Sequence, residues 1–180
     1  MNFNRHITQA EFSPLAEFLR AEGAERRLAA QGGRSHRAGL VVQGAFRYLH
    51  ADAAGGEHVV GYAFAGEFVG DYISMCVDSP SQVTIEAMCG AAALVVTGGR
   101  LEAFYRTDAA HERLGRTMAE HMLAEVYERL LERYAASPQQ RYEALLERCP
   151  DLLQMVSLRE LASYLGVRPE TLSRIRGRIR

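Results

Sequence analysis

The stretch SLRELASYLGVRPETLSRIR, residues 157–176, predicts two short helices joined by a tight turn. Ser157 and Glu160 have the spacing of a capping box, in which each side chain bonds to the backbone of the other residue. Gly166 is expected to end the first helix, because glycine readily adopts the left-handed conformation found there. Pro169 suits the first position of the second helix. The apolar residues that would fill the corner between the helices are Leu158, Leu161, Ala162, Leu165, Val167, Leu172 and Ile175.

This layout is typical of a helix-turn-helix, whose second helix enters the major groove of DNA. Glu170 and Arg174 are four residues apart and therefore share one helix face. A glutamate accepts a hydrogen bond from cytosine, and an arginine donates two to guanine. Taken alone, the same two residues would form a surface ion pair. The predicted DNA-contacting residues are Arg168, Glu170, Thr171, Ser173, Arg174, Arg176 and Arg178.

Charge is distributed unevenly along the chain. Residues 157–180 contain six arginines and two glutamates, a net charge of +4, whereas the whole chain has −1. The first 156 residues therefore carry −5. A basic end suits contact with phosphates, which supply most of the sequence-independent affinity for DNA. The alternative interpretation is an interaction module whose basic C-terminal helix docks an acidic protein partner.

A long helix is predicted upstream, over residues 109–136, where proline is absent and Gly115 is the single glycine. It carries two apolar stripes, so one can pack on the rest of the chain while the other pairs with a second copy. We therefore predict a homodimer; the competing interpretation is a helix buried on both sides within one chain. The predicted dimerisation residues are Leu114, Met118, Met122, Val126 and Leu130. The second stripe consists of Leu123, Tyr127, Leu131 and Tyr134.

Between residues 26 and 97 the pattern changes to short apolar runs separated by turns that contain glycine. Several short strands at this spacing predict a small antiparallel barrel or jelly roll, with a hairpin connection at residues 52–57. The predicted fold class is α+β: an N-terminal antiparallel β-roll, a long dimerisation helix and a C-terminal winged-helix-type helix-turn-helix domain. The predicted units are residues 1–108, 109–136 and 137–180.

Residues 158–176 resemble the helix-turn-helix of the Crp/Fnr family of transcription regulators, in the branch common in Bacteroidetes. Upstream, GAFRY (44–48), GEHVVG (56–61) and FAGEFVGD (64–71) resemble the cyclic-nucleotide-binding type of β-roll of that family. The resemblance covers nearly the whole chain and keeps the family's order of parts. It implies a sequence-specific transcription regulator that binds double-stranded DNA as a homodimer, with RNA polymerase and a small-molecule effector as further partners.

The resemblance also bears on the ligand. In nucleotide-binding members a Gly-Glu turn is followed by an Arg-Ser or Arg-Thr pair that holds the cyclic phosphate. Here residues 66–71 resemble the first part, but SPSQVT, residues 79–84, contains no arginine. Cyclic AMP is therefore not expected, since its phosphate would lack a bidentate cation, and the effector stays unidentified. The ligand-pocket candidates are Gly66, Glu67, Phe68, Gly70, Gln82 and Thr84; a barrel corner that requires glycine is the alternative explanation of the turn.

The remaining residue types exclude several classes of site. The spacing of Cys76, Cys89 and Cys149 fits neither a disulfide framework nor a zinc site, and no N-terminal cysteine set is present for an iron–sulfur cluster. We expect no metal site. A haem stays open as a cofactor, although no spacing distinguishes any of its candidate histidine ligands, which are His36, His50, His58, His111 and His121.

Catalytic motifs are absent from the sequence. It contains neither a G-x-S-x-G nucleophile elbow nor an H-E-x-x-H metal motif, and the cupin-type metal cluster of small β-barrels is missing as well. We therefore expect no enzymatic activity. No apolar run approaches the roughly 20 residues of a membrane span, and the first 20 residues lack the pattern of a signal peptide. The expected location is the cytoplasm, without membrane contact.

Overall fold

The structure, a computed structural model, describes residues 14–15, 18–19, 27–88 and 90–179. The strands in these ranges are β1 (Arg27–Ala29), β2 (Arg37–Gln43), β3 (Ala45–Ala51), β4 (Glu57–Phe64), β5 (Phe68–Gly70), β6 (Thr84–Ala87) and β7 (Ala92–Thr97). The helices are α1 (Tyr72–Val77), α2 (Gly98–Tyr105), α3 (Ala109–Ala135), α4 (Pro138–Arg148), α5 (Leu152–Met155), α6 (Leu158–Leu165) and α7 (Pro169–Ile179). This order of elements confirms the predicted α+β class.

Two antiparallel sheets form the β-roll. One has the strand order β1-β6-β3-β4 and the other β5-β2-β7. The predicted hairpin at residues 52–57 joins β3 to β4, and Gly55 adopts a φ of +82° in its turn. Because alternate residues of a strand point to opposite faces, apolar side chains from both sheets meet in one core. This core consists of Leu28, Ala29, Val41, Phe46, Ala63, Val69, Ile85, Ala93 and Val95.

Helix α3 connects the β-roll to the C-terminal helices. It begins where the carboxylate of Asp108 accepts hydrogen bonds from the N–H groups of Ala110 and His111. Its 27 residues make the helix about 40 Å long. The first half of α3 packs with α2 on the outer face of the three-stranded sheet, where Leu114 and Met118 join a second core.

The two apolar stripes of α3 have different surroundings. Leu114 and Met118, predicted at the dimer interface, are only 9% and 5% exposed within their own chain. We correct these two positions, because the chain's own core already covers them, and Met122 packs partly against that core. Val126 and Leu130 of the same predicted set are half exposed. The other stripe is exposed along its whole length and consists of Leu123, Tyr127, Leu131 and Tyr134.

The C-terminal helices pack directly on the β-roll. One core combines Leu49, Val59 and Phe64 of the hairpin strands with Leu145 of α4 and Leu161 of α6. Helix α6 lies against β4. The described residues 138–179 form helices and no strand. The wing of the predicted winged-helix domain is therefore not seen among these residues.

A buried ion pair joins the β-roll to α4. Arg148 donates from Nε to Glu67 Oε1 at 2.9 Å and from Nη2 to Glu67 Oε2 at 2.8 Å. Its Nη2 group also donates to the Tyr62 carbonyl at 3.1 Å, and its guanidinium lies 4.9 Å from the centre of the Phe64 ring. The side chains of Arg148 and Glu67 are 14% and 4% exposed. This bidentate geometry is the strongest arrangement available to an arginine and a carboxylate.

The environment of Glu67 determines its protonation. Burial by itself raises the pKa of Glu67, but the hydrogen bonds and the charge of Arg148 outweigh burial and leave the pKa below its ordinary value. Because the pKa is lower in the folded chain than in the unfolded chain, the carboxylate stabilises the fold at neutral pH. That contribution is lost as the pH falls from the ordinary glutamate pKa toward the lower folded-state value.

Removing one partner of this pair tests its role. Arg148→Ala is expected to lower the free energy of unfolding by about 3–5 kcal/mol, because Glu67 stays buried without its cation. Urea unfolding at neutral pH measures the loss. The double variant Glu67→Gln, Arg148→Met is expected to recover most of it. The control Arg116→Ala breaks an exposed i,i+4 pair with Glu120 and is expected to cost less than about 1 kcal/mol. An equal loss of stability in Arg148→Ala and Arg116→Ala would contradict the structural role of the buried pair.

Candidate nucleic-acid interface

The first helix of the predicted helix-turn-helix is capped at both ends. The Ser157 hydroxyl accepts from the Glu160 N–H at 3.2 Å, and the Glu160 carboxylate accepts from the Ser157 N–H at 3.2 Å. This confirms the capping box. Gly166 ends α6 with a φ of +67°. The N–H of Val167 then donates to the Ala162 carbonyl at 3.0 Å, which closes the turn before α7.

Buried side chains fix the orientation of α7. The Arg168 carbonyl accepts hydrogen bonds from the N–H groups of Thr171 and Leu172 at 3.0 and 3.1 Å and so starts the helix. Leu172 is fully buried and Ile175 is 7% exposed, in the same core as the apolar side of α6. With this side held inward, the opposite side of α7 faces away from the protein.

The predicted DNA-contacting residues lie on the outward side of the corner, and none of them is buried. Thr171 and Arg176 are half-buried, whereas the other five are exposed: Arg168, Glu170, Ser173, Arg174 and Arg178. Within the described part of the chain, Glu170 and Arg174 do not form the ion pair that their spacing permits. The Arg174 Nη2 group instead lies 3.4 Å from the Thr171 hydroxyl oxygen. The donors and acceptors of this helix face are therefore available to a partner.

Arg141 is a positioning residue that the sequence did not indicate. Its Nη2 group donates to the carbonyl of Leu165 at 2.7 Å, and its Nη1 group donates to the carbonyls of Arg133 and Ala136 at 3.3 Å. Carbonyl groups at helix ends lack partners within the helix. One guanidinium thus ties the end of α3 to the end of α6, across the connection between the two parts of the chain.

A second contact between the halves involves Glu160. Arg47 of β3 donates from Nη2 to Glu86 of the neighbouring strand at 2.6 Å and also forms an ion pair with Glu160. Burial raises the pKa of Glu160, but its bonds to Ser157 and the nearby Arg47 outweigh burial and lower the pKa. Glu160 therefore both starts α6 and holds it against the sheet. Arg47 is 113 residues away, so no local pattern indicated the contact.

The ligand-pocket candidates do not lie together. Both oxygens of Glu67 bond to Arg148, and Oε2 also accepts from the Phe64 N–H at 3.0 Å, so neither is open to a ligand. We correct its predicted role accordingly: Glu67 joins the β-roll to α4 through Arg148. Phe68 and Gly70 line an apolar cavity between the sheet and helices α2 and α3. Gly66 has a φ of +86° in the turn before Glu67.

The last two candidates lie elsewhere in the β-roll. The carbonyl of Gln82 accepts from His50 Nδ1 at 2.8 Å, and the hydroxyl of Thr84 accepts from the Gln31 N–H at 3.1 Å. Neither residue lines the cavity. In the same segment, the Ser81 hydroxyl donates to Asp71 Oδ2 at 2.5 Å.

The described residues contain no cluster of three or more histidine, cysteine or acidic side chains arranged to hold a metal ion. In the same part of the chain, none of the helices has both the length and the apolar character required to cross a membrane.

Comparison with known proteins identifies the fold. No protein-family model matches the sequence, and no curated protein matches it. Solved structures do match. FixK2 from Bradyrhizobium japonicum is 19% identical with a TM-score of 0.69, over 87% of this chain and 82% of that one. The c-di-GMP responsive global regulator CLP of Xanthomonas campestris is 17% identical with a TM-score of 0.63, over 93% and 90%.

A third similar structure is the catabolite activator protein of Thermus thermophilus. It is 21% identical with a TM-score of 0.53, over 97% of this chain and 84% of that one. The three matches extend across both the β-roll and the C-terminal helices. The chain therefore shares one fold with these proteins, a cyclic-nucleotide-binding type of β-roll followed by a helix-turn-helix.

The turn of the helix-turn-helix yields a stability test. Gly166→Ala is expected to cost about 1–2 kcal/mol, because an L side chain is strained at a φ of +67°. Gly177→Ala in α7 is the matched control and is expected to stabilise by about 0.5–1 kcal/mol. A Cβ atom at either position meets open space, so the two variants differ only in backbone conformation. Urea unfolding measures both, and an equal effect would argue against a left-handed residue in the turn.

Proposed function

We propose that the protein is a sequence-specific DNA-binding transcription regulator of the Crp/Fnr type, which acts in the cytoplasm as a homodimer. The observation that carries the proposal is the two-sided nature of α7. Leu172 and Ile175 hold one side in the core, while Glu170, Arg174 and Arg178 are exposed on the other. A helix held in this way presents its outward side chains to the major groove.

The outward residues of α7 divide into two roles. Glu170 and Arg174, near the start of the helix, contact base edges, where arginine selects guanine and glutamate selects cytosine. Arg176 and Arg178, further along, contact phosphates, which position the protein but do not select a sequence. The start of a helix also attracts phosphate through its free N–H groups. RNA polymerase is the partner through which DNA binding would change transcription.

The homodimer is supported by the exposed stripe of α3. Leu123 is 72% exposed, Tyr127 60% and Tyr134 85%, which is unusual for large apolar or aromatic side chains along one helix. A second copy of α3 packed along this stripe buries it and places two copies of α7 on one DNA duplex. A two-fold dimer of this kind recognises a palindromic site whose halves are separated by about one helical turn, roughly 34 Å.

The signal that the β-roll senses is not cyclic AMP in this proposal. Residues 66–84, which include the turn that resembles a nucleotide site, contain no arginine or lysine. The carboxylate of Asp71 in this turn bonds to the Ser81 hydroxyl at 2.5 Å and to the Ser74 N–H at 3.2 Å. A cyclic phosphate placed here would meet the carboxylate of Asp71, and the segment itself supplies no cation to offset the repulsion.

A protein-docking function for the basic helix makes a different prediction. Docking to an acidic protein does not depend on base sequence, whereas a regulator prefers its own site to scrambled DNA by a large factor. The salt dependence of duplex binding also reports the number of phosphates contacted.

Arg174→Ala tests the base contact. We expect a loss of about 1–3 kcal/mol in binding to a duplex selected from a randomised pool, with relaxed preference at one base pair, because a bidentate contact to guanine is removed. Fluorescence anisotropy across a salt series measures the affinity, and repeated selection measures the preference. The control Arg113→Ala removes an exposed arginine of α3 and is expected to change neither. An equal loss on every sequence would assign Arg174 to the phosphates instead.

Tyr127→Glu tests the dimer. The substitution places a charge in the centre of the exposed stripe, so we expect monomers at concentrations where the unchanged protein is a dimer. Light scattering coupled to size-exclusion chromatography measures the mass. Ala30→Glu adds the same charge at an exposed position of the β-roll and is expected to leave the dimer intact. A dimeric Tyr127→Glu variant would place the interface elsewhere.

A further inference from the structure

The connection between α3 and α4 consists of two residues, Ala136 and Ser137. Both have an extended backbone, with ψ angles of 137° and 157°. Ser137 precedes a proline, which disfavours any other conformation, and it also forms a capping box with Gln140. Neither feature applies to Ala136, so a rotation about its bonds would swing α4 and the helices that follow it relative to α3.

The end of α3 has little support from the core of its own chain. All residues from 131 to 135 are exposed, whereas the buried residues of this helix lie in its first half. Arg141 of α4 contacts this end, because its Nη1 group donates to the carbonyls of Arg133 and Ala136 at 3.3 Å. The side chain of Arg141 thus spans the residue about which α4 would otherwise rotate.

The same guanidinium reaches the helix-turn-helix. The Nη2 group of Arg141 donates to the Leu165 carbonyl at 2.7 Å. Leu165 is 2% exposed and is the last residue of α6, directly before the turn at Gly166 that leads to α7. The five donors of a guanidinium lie in one plane at fixed angles, so the carbonyls that they bind are held in a fixed relation. The end of α3 and the start of the turn to α7 are therefore fixed to each other.

Two other arginines hold the C-terminal helices to the β-roll instead. Arg148 of α4 bonds to Glu67, and Arg47 of β3 pairs with Glu160 of α6. These contacts orient the helices within one chain. In a homodimer that pairs along α3, the separation of the two copies of α7 also depends on how each α7 is fixed to its own α3. Arg141 supplies a direct connection of that kind.

We infer that Arg141 determines which separation of two DNA half-sites the homodimer accepts, as a specificity-determining residue that acts through α7. The inference rests on the proposed function. One base pair moves a half-site by about 3.4 Å and turns it by roughly 35°, because a helical turn of about 10–10.5 base pairs spans about 34–36 Å. A dimer whose two recognition helices are held rigidly tolerates neither change. Loss of the contact frees the rotation at Ala136, so other separations become acceptable while the base contacts stay the same.

The test uses the full chain and a duplex selected from a randomised pool. Both half-sites are kept, the spacer between them is shortened or lengthened by one base pair, and fluorescence anisotropy measures each affinity at one salt concentration. We expect the unchanged protein to bind the altered duplexes at least about tenfold more weakly than the selected duplex. Arg141→Ala is expected to bind all of them within about threefold of one another, because it lacks the hydrogen bonds that resist the rotation.

A duplex with one half-site scrambled separates this role from a loss of stability. Unfolding of the helix-turn-helix would weaken binding to the remaining half-site, whereas a freed connection leaves that binding unchanged. We therefore expect Arg141→Ala and the unchanged protein to bind this duplex within about twofold of each other and with the same base preference. A loss by Arg141→Ala on the single half-site as large as its loss on the selected duplex would assign Arg141 to stability alone and overturn the inference.

Two further variants distinguish geometry from charge. Arg141→Lys keeps the positive charge, but an ammonium lacks the planar fork, so we expect the same loss of spacing preference. A preference retained in Arg141→Lys would assign the effect to charge and overturn the inference. Arg133→Ala removes an exposed arginine from the end of α3, leaves its carbonyl in place and is expected to keep the preference of the unchanged protein. If Arg141→Ala does not fold, Arg141→Lys decides by the same criterion.

Failure of the inference and failure of the proposed function give different results. An unchanged protein that binds every duplex equally, scrambled DNA included, would overturn the proposed function. A protein that selects its sequence but has the same spacing preference, or none, with and without the Arg141 side chain would overturn only the inference.

Discussion

The buried pair between Glu67 and Arg148 constrains how the two halves of the chain fit together. A carboxylate that is 4% exposed requires a partner, because an unpaired charge in such a place costs several kcal/mol. The cation comes from the last residue of α4 and is held by both carboxylate oxygens and by the Tyr62 carbonyl. The end of α4 is therefore fixed against one turn of the β-roll, and the helices that follow it pack from that point.

The side that α7 exposes depends on the same packing of the C-terminal helices on the β-roll. Leu172 and Ile175 belong to a core that also contains residues of β3 and β4, and α7 joins it by packing on α6, which lies against β4. A buried ion pair adds less net stability than apolar residues of the same size would. Its geometric demand is stricter, however, since the guanidinium and the carboxylate must align in one plane. We therefore attribute to this pair mainly the relative orientation of the β-roll and the C-terminal helices, and less their stability.

Features that depend on neighbouring residues could be predicted from the sequence. The capping box of Ser157, the left-handed Gly166 and the hairpin at residues 52–57 each involve residues within about six positions. The contact of Glu67 with Arg148 spans 81 residues and could not be predicted in this way. The turn that contains Glu67 resembles a ligand site in sequence, so we predicted a ligand contact. The actual partner, Arg148, comes close to Glu67 only when the chain folds. Both stripes of α3 are apolar in sequence, and their packing against α2 and the three-stranded sheet distinguishes them.

Two sets of arginines in the described part of the chain differ in their surroundings. Arg47, Arg141 and Arg148 bond to carboxylates or carbonyls of a second element, a task for which a planar group with five donors is better suited than an ammonium. Arg174 and Arg178 are exposed on the outward side of α7. Glu160 contributes a negative charge to residues 157–180, but it faces Arg47 of the β-roll. Of the two acidic residues in that segment, Glu170 lies on the outward side of α7, beside Arg174, and Glu160 does not. Folding thus pairs one of the two acidic residues with the β-roll, so the side that would meet phosphate carries a single carboxylate, Glu170, among its arginines.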